Sequence, residues 1–225
     1  MNVLEAIKSR VSTRAFLEQD VSKATIEDIL GAARWAPSGT NTQPWNVAVL
    51  SGSAKAELCE KMAAKFTAHE TGTPDYHYYT VGKLVEPYRT RRFNCGMALY
   101  GALGIAREDR TAREAAWLRN YHAFSAPVML LFFIDKFLEK GSWLDYGMFL
   151  ENIMLAALEY GLATCPQQAL AEYPDLVRDY LGTDYQDKIL ICGMALGYAD
   201  TKAAINNYRT EREDVVNFTR WYIDQ

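Results

Sequence analysis

The sequence predicts an α+β or α/β domain, and three observations carry that prediction. Ile26, Ile29, Leu30 and Ala33 repeat at the spacing of an amphipathic helix. Residues 126–135 and 188–198 are apolar runs of the length of buried strands. Helical and strand segments also interleave along the chain instead of separating into blocks.

Residues 3–10 read as a short amphipathic helix, closed by the polar, basic run Ser9-Arg10-Val11-Ser12-Thr13-Arg14. Ser22 is placed to cap the helix that carries Ile26, and Pro37-Ser38-Gly39 stops it. Residues 45–50 alternate weakly, as a strand does, and 54–69 read as helix. An irregular aromatic stretch follows, with Tyr76, His77, Tyr78, Tyr79 and Tyr88 between Pro74 and Pro87. It leads into Arg89, Arg91 and Arg92. Residues 95–120 are again helical.

The run at 126–135 carries Pro127 at its start, where a strand tolerates proline. Residues 144–162 read as a helix apolar on nearly every face, which needs cover all round. A second subunit would supply it, and Gly161 is placed to end the helix. After Ala199 the chain turns polar, then ends with Val215, Phe218, Trp221 and Tyr222, as an arm laid on another surface would. No linker interrupts the chain. We therefore expect one domain over 1–225, with a lid-like insertion at about 72–120 and a C-terminal arm at about 200–225 that embraces a partner. The aromatic cluster at 76–88 suits a substrate lid or an interface patch.

With 225 residues the chain can bury a full core. A net charge of −4 leaves no basic surplus for a nucleic-acid backbone. The longest apolar stretch, 126–134, is too short to span a bilayer. Leu4, Ala6 and Ile7 are interleaved with Glu5, Lys8 and Arg10, so a secretory signal is not expected and a cytoplasmic protein is. The four cysteines, at 59, 95, 165 and 192, form no CxxC, and the histidines at 69, 77 and 122 lie far from any cysteine pair. No metal site is expected.

Three polar groups, far apart in sequence, share a chemical character. Arg10, Ser12 and Arg14 are spaced so that two guanidinium groups and a hydroxyl point one way from an extended segment, as a phosphate requires. A solvated basic turn is the alternative. The stretch from Pro37 to Trp45 holds small and amide residues between two prolines, which suits either a backbone-exposing binding loop or a plain connection. Asn206, Asn207, Tyr208, Arg209, Thr210, Glu211 and Arg212 suit a second phosphate clamp or a polar lead-in to a terminal helix.

Five motifs, in order, resemble the nitroreductase family over nearly the whole chain. Ser9-Arg10-Val11-Ser12-Thr13-Arg14-Ala15-Phe16 is similar to its opening flavin-phosphate motif, and Ala36-Pro37-Ser38-Gly39-Thr40-Asn41-Thr42-Gln43-Pro44-Trp45 to its second. Gly161-Leu162-Ala163-Thr164-Cys165-Pro166-Gln167-Gln168 resembles its third, and Gly193-Met194-Ala195-Leu196-Gly197-Tyr198 its last strand. Arg209-Thr210-Glu211-Arg212 resembles its C-terminal phosphate contact.

The resemblance implies a nitroreductase-like α+β fold: a mixed, mainly antiparallel sheet flanked by helices, in an intertwined homodimer. It implies FMN as cofactor and NADH or NADPH as a visiting electron donor. Turnover would be ping-pong, passing two electrons at a time to a nitroaromatic acceptor, with an acidic one such as a nitrobenzoate suited to the arginines at 89–92. The alternative acceptors are quinones, activated alkenes or halophenols. A flavin-binding protein without turnover is a further alternative.

For the site, the resemblance implies that Arg10, Ser12 and Arg14 hold the phosphate and ribityl chain. Pro37, Ser38, Gly39 and Asn41 would reach the flavin from the opposite subunit. Pro166, Gln167 and Gln168 would lie over one face, with the N–H of Gln168 or Ala169 toward N5. Arg212, with Arg209 as helper or rival, would complete the phosphate site. Cys165 would sit on a flavin-side loop as a cofactor contact; with no histidine nearby in sequence, a catalytic thiol is not expected. No side chain is assigned as acid or base, since water can supply the protons. Some relatives use mid-chain side chains against the pyrimidine ring, and Arg119 and Asn120 are the nearest counterparts here.

Overall fold

The computed structural model describes residues 1–79, 82 and 84–223. Parts of the expected insertion (80, 81 and 83) and the end of the arm (224 and 225) lie outside the described residues.

Four strands form one antiparallel sheet in the order β1-β2-β4-β3. They are β1 (Asn46–Ser51), β2 (Val128–Asp135), β3 (Ala163–Gln167) and β4 (Lys188–Gly197). A single parallel bridge, Ser12 to Thr164, adds the N-terminal segment to the free edge of β3 and makes the sheet mixed. Strand β2 is central and buried along almost its whole length, as its apolar run predicts. Its side chains alternate strictly: Met129, Leu131 and Phe133 face one core, Val128, Leu130, Phe132 and Ile134 the other. The first core is closed by α3 (Gly52–Thr67) and α7 (Pro174–Leu181), the second by α2 (Lys23–Ala33) and α6 (Lys140–Glu159).

Local signals set the helix ends. The Ser22 hydroxyl accepts from the Thr25 N–H, and Ile26, Ile29 and Ala33 are the buried stripe of α2. Gly161 takes the left-handed φ of 67°. Its N–H donates to the Leu158 carbonyl and that of Leu162 to the Ala157 carbonyl, the paired bonds that close a helix at glycine. The helix read over 95–120 is two helices, α4 (Tyr88–Ala102) and α5 (Arg110–Leu118), because Gly104 (φ 67°) ends the first in the same way.

Between Phe132 and Phe133 the β2–β4 register shifts, leaving Ile191 as the extra residue of a bulge. Its carbonyl accepts from the Tyr76 hydroxyl (2.7 Å) and the Gln168 side-chain amide (2.6 Å). The segment around Tyr76 is thereby pinned to the sheet beside the turn that follows β3. At Gly193 a Cβ would stand 2.5 Å from the Leu170 side chain, so only glycine lets that turn lie so close to β4.

The remaining apolar surface is uneven. In α1 (Val3–Ser9) no residue is buried. Val3, Leu4 and Ile7 on α1, Leu144 and Met148 on α6, and Val216, Phe218, Trp221 and Tyr222 near the C-terminus are all exposed. Helix α6 buries Tyr146, Phe149, Ile153, Met154 and Ala157, so the single chain covers one of its apolar faces and leaves another open.

Candidate functional site

The N-terminal segment reaches the site along the edge of β3. Helix α1 stops at Arg10, and the Thr13 N–H then donates to the Thr164 carbonyl (3.0 Å). Thr13 and Phe16 turn inward and are buried, while Ser12 and Arg14 remain half-buried. The Asn206 side chain joins this segment to the far end of the chain. Its Oδ1 accepts from the Arg14 N–H (2.8 Å), and its Nδ2 donates to the carbonyls of Ala15 (2.8 Å) and Asp200 (2.9 Å).

That clasp brings the first and third polar groups of the sequence to one cavity of about 800 Å³. Arg10, Ser12 and Arg14 line one side, Tyr208, Arg209 and Arg212 another, with Cys95 of α4 and Glu151 of α6 between them. Lys8 adds a fifth cation, set against the one carboxylate of Glu151. The Arg10 Nε lies 3.9 Å from that carboxylate. The other arginines bond neutral oxygens. Arg14 Nη1 donates to the Tyr208 hydroxyl (3.0 Å) and the Ser12 carbonyl (3.3 Å). Arg209 Nη2 donates to the carbonyls of Ser9 (3.0 Å) and Arg10 (3.1 Å) at the end of α1. Among the described residues Arg212 Nη1 bonds only within 210–211. The cavity therefore presents excess positive charge, and its donor set is that of an anion site.

Other expected site residues are placed differently. The loop after α2 forms a 3-10 turn, Gly39–Asn41, with left-handed φ at Thr40 (50°), Asn41 (59°) and Gln43 (48°). Non-glycine residues adopt such angles where surrounding contacts impose them. Here the Gly39 N–H donates to the Asp145 carboxylate and the Gln43 N–H to the Ser38 hydroxyl, both at 3.0 Å. Pro37, Gly39 and Asn41 are exposed, and none of the four loop residues lines the arginine cavity of its own chain.

Cys165 is not on a loop but inside β3, 2% exposed, because the third motif pairs with β4 as a strand. Burial pushes its thiol up to about 11, against the opposing pull of Arg14, Ser12 and Arg10. It lies behind the cavity wall and is held protonated. Pro166 is exposed, whereas the side chains of Gln167 and Gln168 turn into the protein. Gln167 Nε2 donates to the Asn120 carbonyl (3.0 Å), and Gln168 Nε2 to the Tyr76 hydroxyl (3.0 Å). Their backbone, not their side chains, is what the turn can offer outward.

Arg119 Nη2 donates to the Arg14 carbonyl (2.7 Å). Arg119 and Asn120 thus brace the first and third motifs from behind. Sequence reasoning held Asn206 and Tyr208 within the third polar group without giving either a role of its own, and missed Glu151 and Cys95 as members of this neighbourhood. Glu151 and Cys95 carry no local signal.

The Nitroreductase family profile matches residues 7–198 of this chain. The chain belongs to that family. Among its relatives, a 4-nitrobenzoate reductase of Pseudomonas putida is 40% identical over 215 residues, covering 96% of this chain and 93% of the relative. The nitroreductase fold seen here is shared with solved structures. An FMN and NADPH-dependent nitroreductase NfnB from Sphigopyxis sp. strain HMH superposes at a TM-score of 0.94, with 37% identity and both chains fully covered. The FMN-dependent nitroreductase NfnB from Mycobacterium smegmatis, solved in complex with NADPH, gives 0.92 at 33% identity over 98% of this chain and 97% of that one. The resemblance read from five motifs thus holds, and so does the α+β, mainly antiparallel fold it implied. Among the described residues there is no helix long and apolar enough to cross a membrane and no cluster of ligands for a metal ion.

Proposed function

We propose that this nitroreductase-family protein is an FMN-dependent NAD(P)H oxidoreductase that reduces nitroaromatic compounds as a homodimer. One observation carries the reading: arginines from both ends of the chain converge on a single cavity with one opposing carboxylate. A phosphomonoester fits that donor set, and the cavity volume lies in the range of about 300–1,000 Å³ usual for small-molecule sites. FMN bound there would supply the two-electron chemistry between a nicotinamide donor and the acceptor.

Arg10, Ser12 and Arg212 would bind the phosphate. Arg209 is the helper, since its bonds to Ser9 and Arg10 hold the end of α1 in place. Arg14, fixed by Tyr208 and Asn206, would put positive charge beside the ring and favour its reduced, anionic form. Pro166 and the backbone at 167–169 would line the flavin from the same chain, with Cys165 behind them. Pro37, Ser38, Gly39 and Asn41 would come from the other subunit, which accounts for an exposed, conformationally constrained loop away from its own cavity.

The homodimer reading rests on the exposed apolar residues of α1, α6 and the arm, a set that would not remain in water without a partner. The 72–120 insertion would act as the lid, and its arginines would suit a nitroaromatic acid. Four unpaired thiols suit the reducing cytoplasm.

The visible spectrum of the purified protein, followed by anaerobic titration with NADPH and then 4-nitrobenzoate, tests this. Bleaching by NADPH and reoxidation by the nitro compound, in a sedimenting dimer, is the expected result. A colourless monomer indifferent to added FMN overturns the reading. A yellow dimer that is bleached neither by NADPH nor by NADH in a parallel titration is a flavin-binding protein without turnover.

A further inference from the structure

Helix α4 borders a second cavity, of about 450 Å³, which shares no lining residue with the first. Its walls include the apolar surfaces of Phe93, Met97, Tyr100 and Ile105, while Arg92, Arg107 and Arg113 surround them. Among the described residues no Asp or Glu lines it, and of its lining arginines Arg89 is already paired with Glu86 (2.7 Å). The Arg107 guanidinium lies over the Phe93 ring (5.8 Å) and that of Arg113 over the Tyr100 ring (5.6 Å). Arg113 Nη1 donates to the Arg107 carbonyl (2.9 Å), but its Nε is buried with no hydrogen-bond partner among the described residues.

Two glycines of α4, Gly96 and Gly101, also line this space, and a Cβ at either would meet nothing within 4 Å. Glycine is unfavourable inside a helix, so local stability does not explain the pair. What they do is leave the volume open.

We propose that this cavity is a binding site for a small aromatic carboxylate, separate from the proposed flavin site. The aromatic body would pack on Phe93, Met97 and Tyr100. The carboxylate would meet Arg107 and Arg113, where charge-assisted hydrogen bonds form beside apolar surface. The site does not depend on the flavin reading, because none of its residues belongs to the arginine cavity at the end of α1.

The test is calorimetric titration of the purified protein, with and without FMN, using 2-naphthoate and its neutral isostere 2-naphthamide. Naphthoate should bind in both preparations, and naphthamide about tenfold more weakly, as expected for loss of a charged hydrogen-bond partner. Arg107→Gln, at an exposed position, should weaken naphthoate by about the same factor. Gly96→Leu fills the space and should abolish binding while the circular dichroism stays that of the parent. Equal affinity for acid and amide, unaltered binding in both variants, or no binding at all overturns the proposal. So does a naphthoate-induced shift of the flavin spectrum that survives in Gly96→Leu, which would put the ligand on the flavin. If the protein takes up no FMN, the titration without FMN still decides the question.

Discussion

Arg178 and the arginines of the large cavity make an instructive pair. Arg178 is 7% exposed and is answered by carboxylates within the chain. Its Nη1 and Nη2 donate to the two oxygens of Asp75 (2.7 and 3.0 Å), Nη2 reaches Asp175 (2.6 Å), and Nη1 also reaches the Lys188 carbonyl (3.1 Å). The same Asp75 accepts from the Leu190 N–H (2.9 Å), which fastens the segment around Asp75 to β4. At the cavity, Arg10, Arg14, Arg209 and Arg212 meet carbonyls, hydroxyls and one carboxylate at 3.9 Å. A guanidinium answered by carboxylates is part of the fold. A cluster that shares one distant carboxylate is prepared for an anion from outside.

The largest effect is expected at Arg178. Replacing it with Met leaves Asp75 in a part-buried setting without its counter-charge, and the cost should be about 3–5 kcal/mol in urea unfolding. A loss within experimental error would mean that the pair does not hold this segment to the sheet. The converse applies to Arg212. Arg212→Ala should leave the unfolding midpoint in place and weaken FMN by about 10–100-fold, the range for one charge-assisted hydrogen-bonding group. Riboflavin, which lacks the phosphate, should bind both proteins alike in flavin-fluorescence titrations; an equal loss for both flavins would remove Arg212 from the phosphate.

A smaller effect separates helix capping from either kind of arginine. Ser22→Ala removes the hydroxyl that accepts from Thr25, and should cost about 1 kcal/mol of stability with FMN affinity untouched. Thermal denaturation beside flavin titration reads both. The smallest expected effect is a rate. Burial raises Cys165 to about 11 and Cys192 to about 12, from an ordinary value of 9.0, so both remain neutral thiols in the folded protein. Their contribution to stability is present below pH 9.0 and lost as the pH rises through those values. Iodoacetamide at pH 8 should therefore modify the exposed Cys95 and spare Cys165 and Cys192, as mass spectrometry of the digested protein would show. Rapid labelling of Cys165 would place it in the cavity instead of behind its wall.

Legibility in the sequence followed locality. The cap at Ser22, the glycine stop at Gly161 and a buried strand, read over 126–135 and found at Val128–Asp135, were all readable, because each depends on neighbours within a few residues. The break at Gly104 was passed over, since one glycine within a helical pattern is tolerated as often as it terminates. The strand 163–167 was passed over too. Only five residues long and carrying Pro166, it takes its identity from pairing with β4 and Thr13, not from alternation.

In the site, Arg10, Ser12 and Arg14 were legible as a period-two set on an extended segment. The inward turn of Gln167 and Gln168 was not legible, because it depends on the bulge at Ile191 and on Asn120, far away in sequence.

By itself, then, the sequence determined the alternation of elements, the two-faced central strand and the charge of both termini, all of which follow from side-chain polarity at short range. The tertiary structure alone decided which charges are spent on folding and which are left over. That choice is made by contacts between residues more than a hundred positions apart, such as Asp75 with Arg178 and Arg14 with Tyr208. No local pattern encodes such a meeting, because it exists only after the sheet has closed and brought the two ends of the chain along its edge.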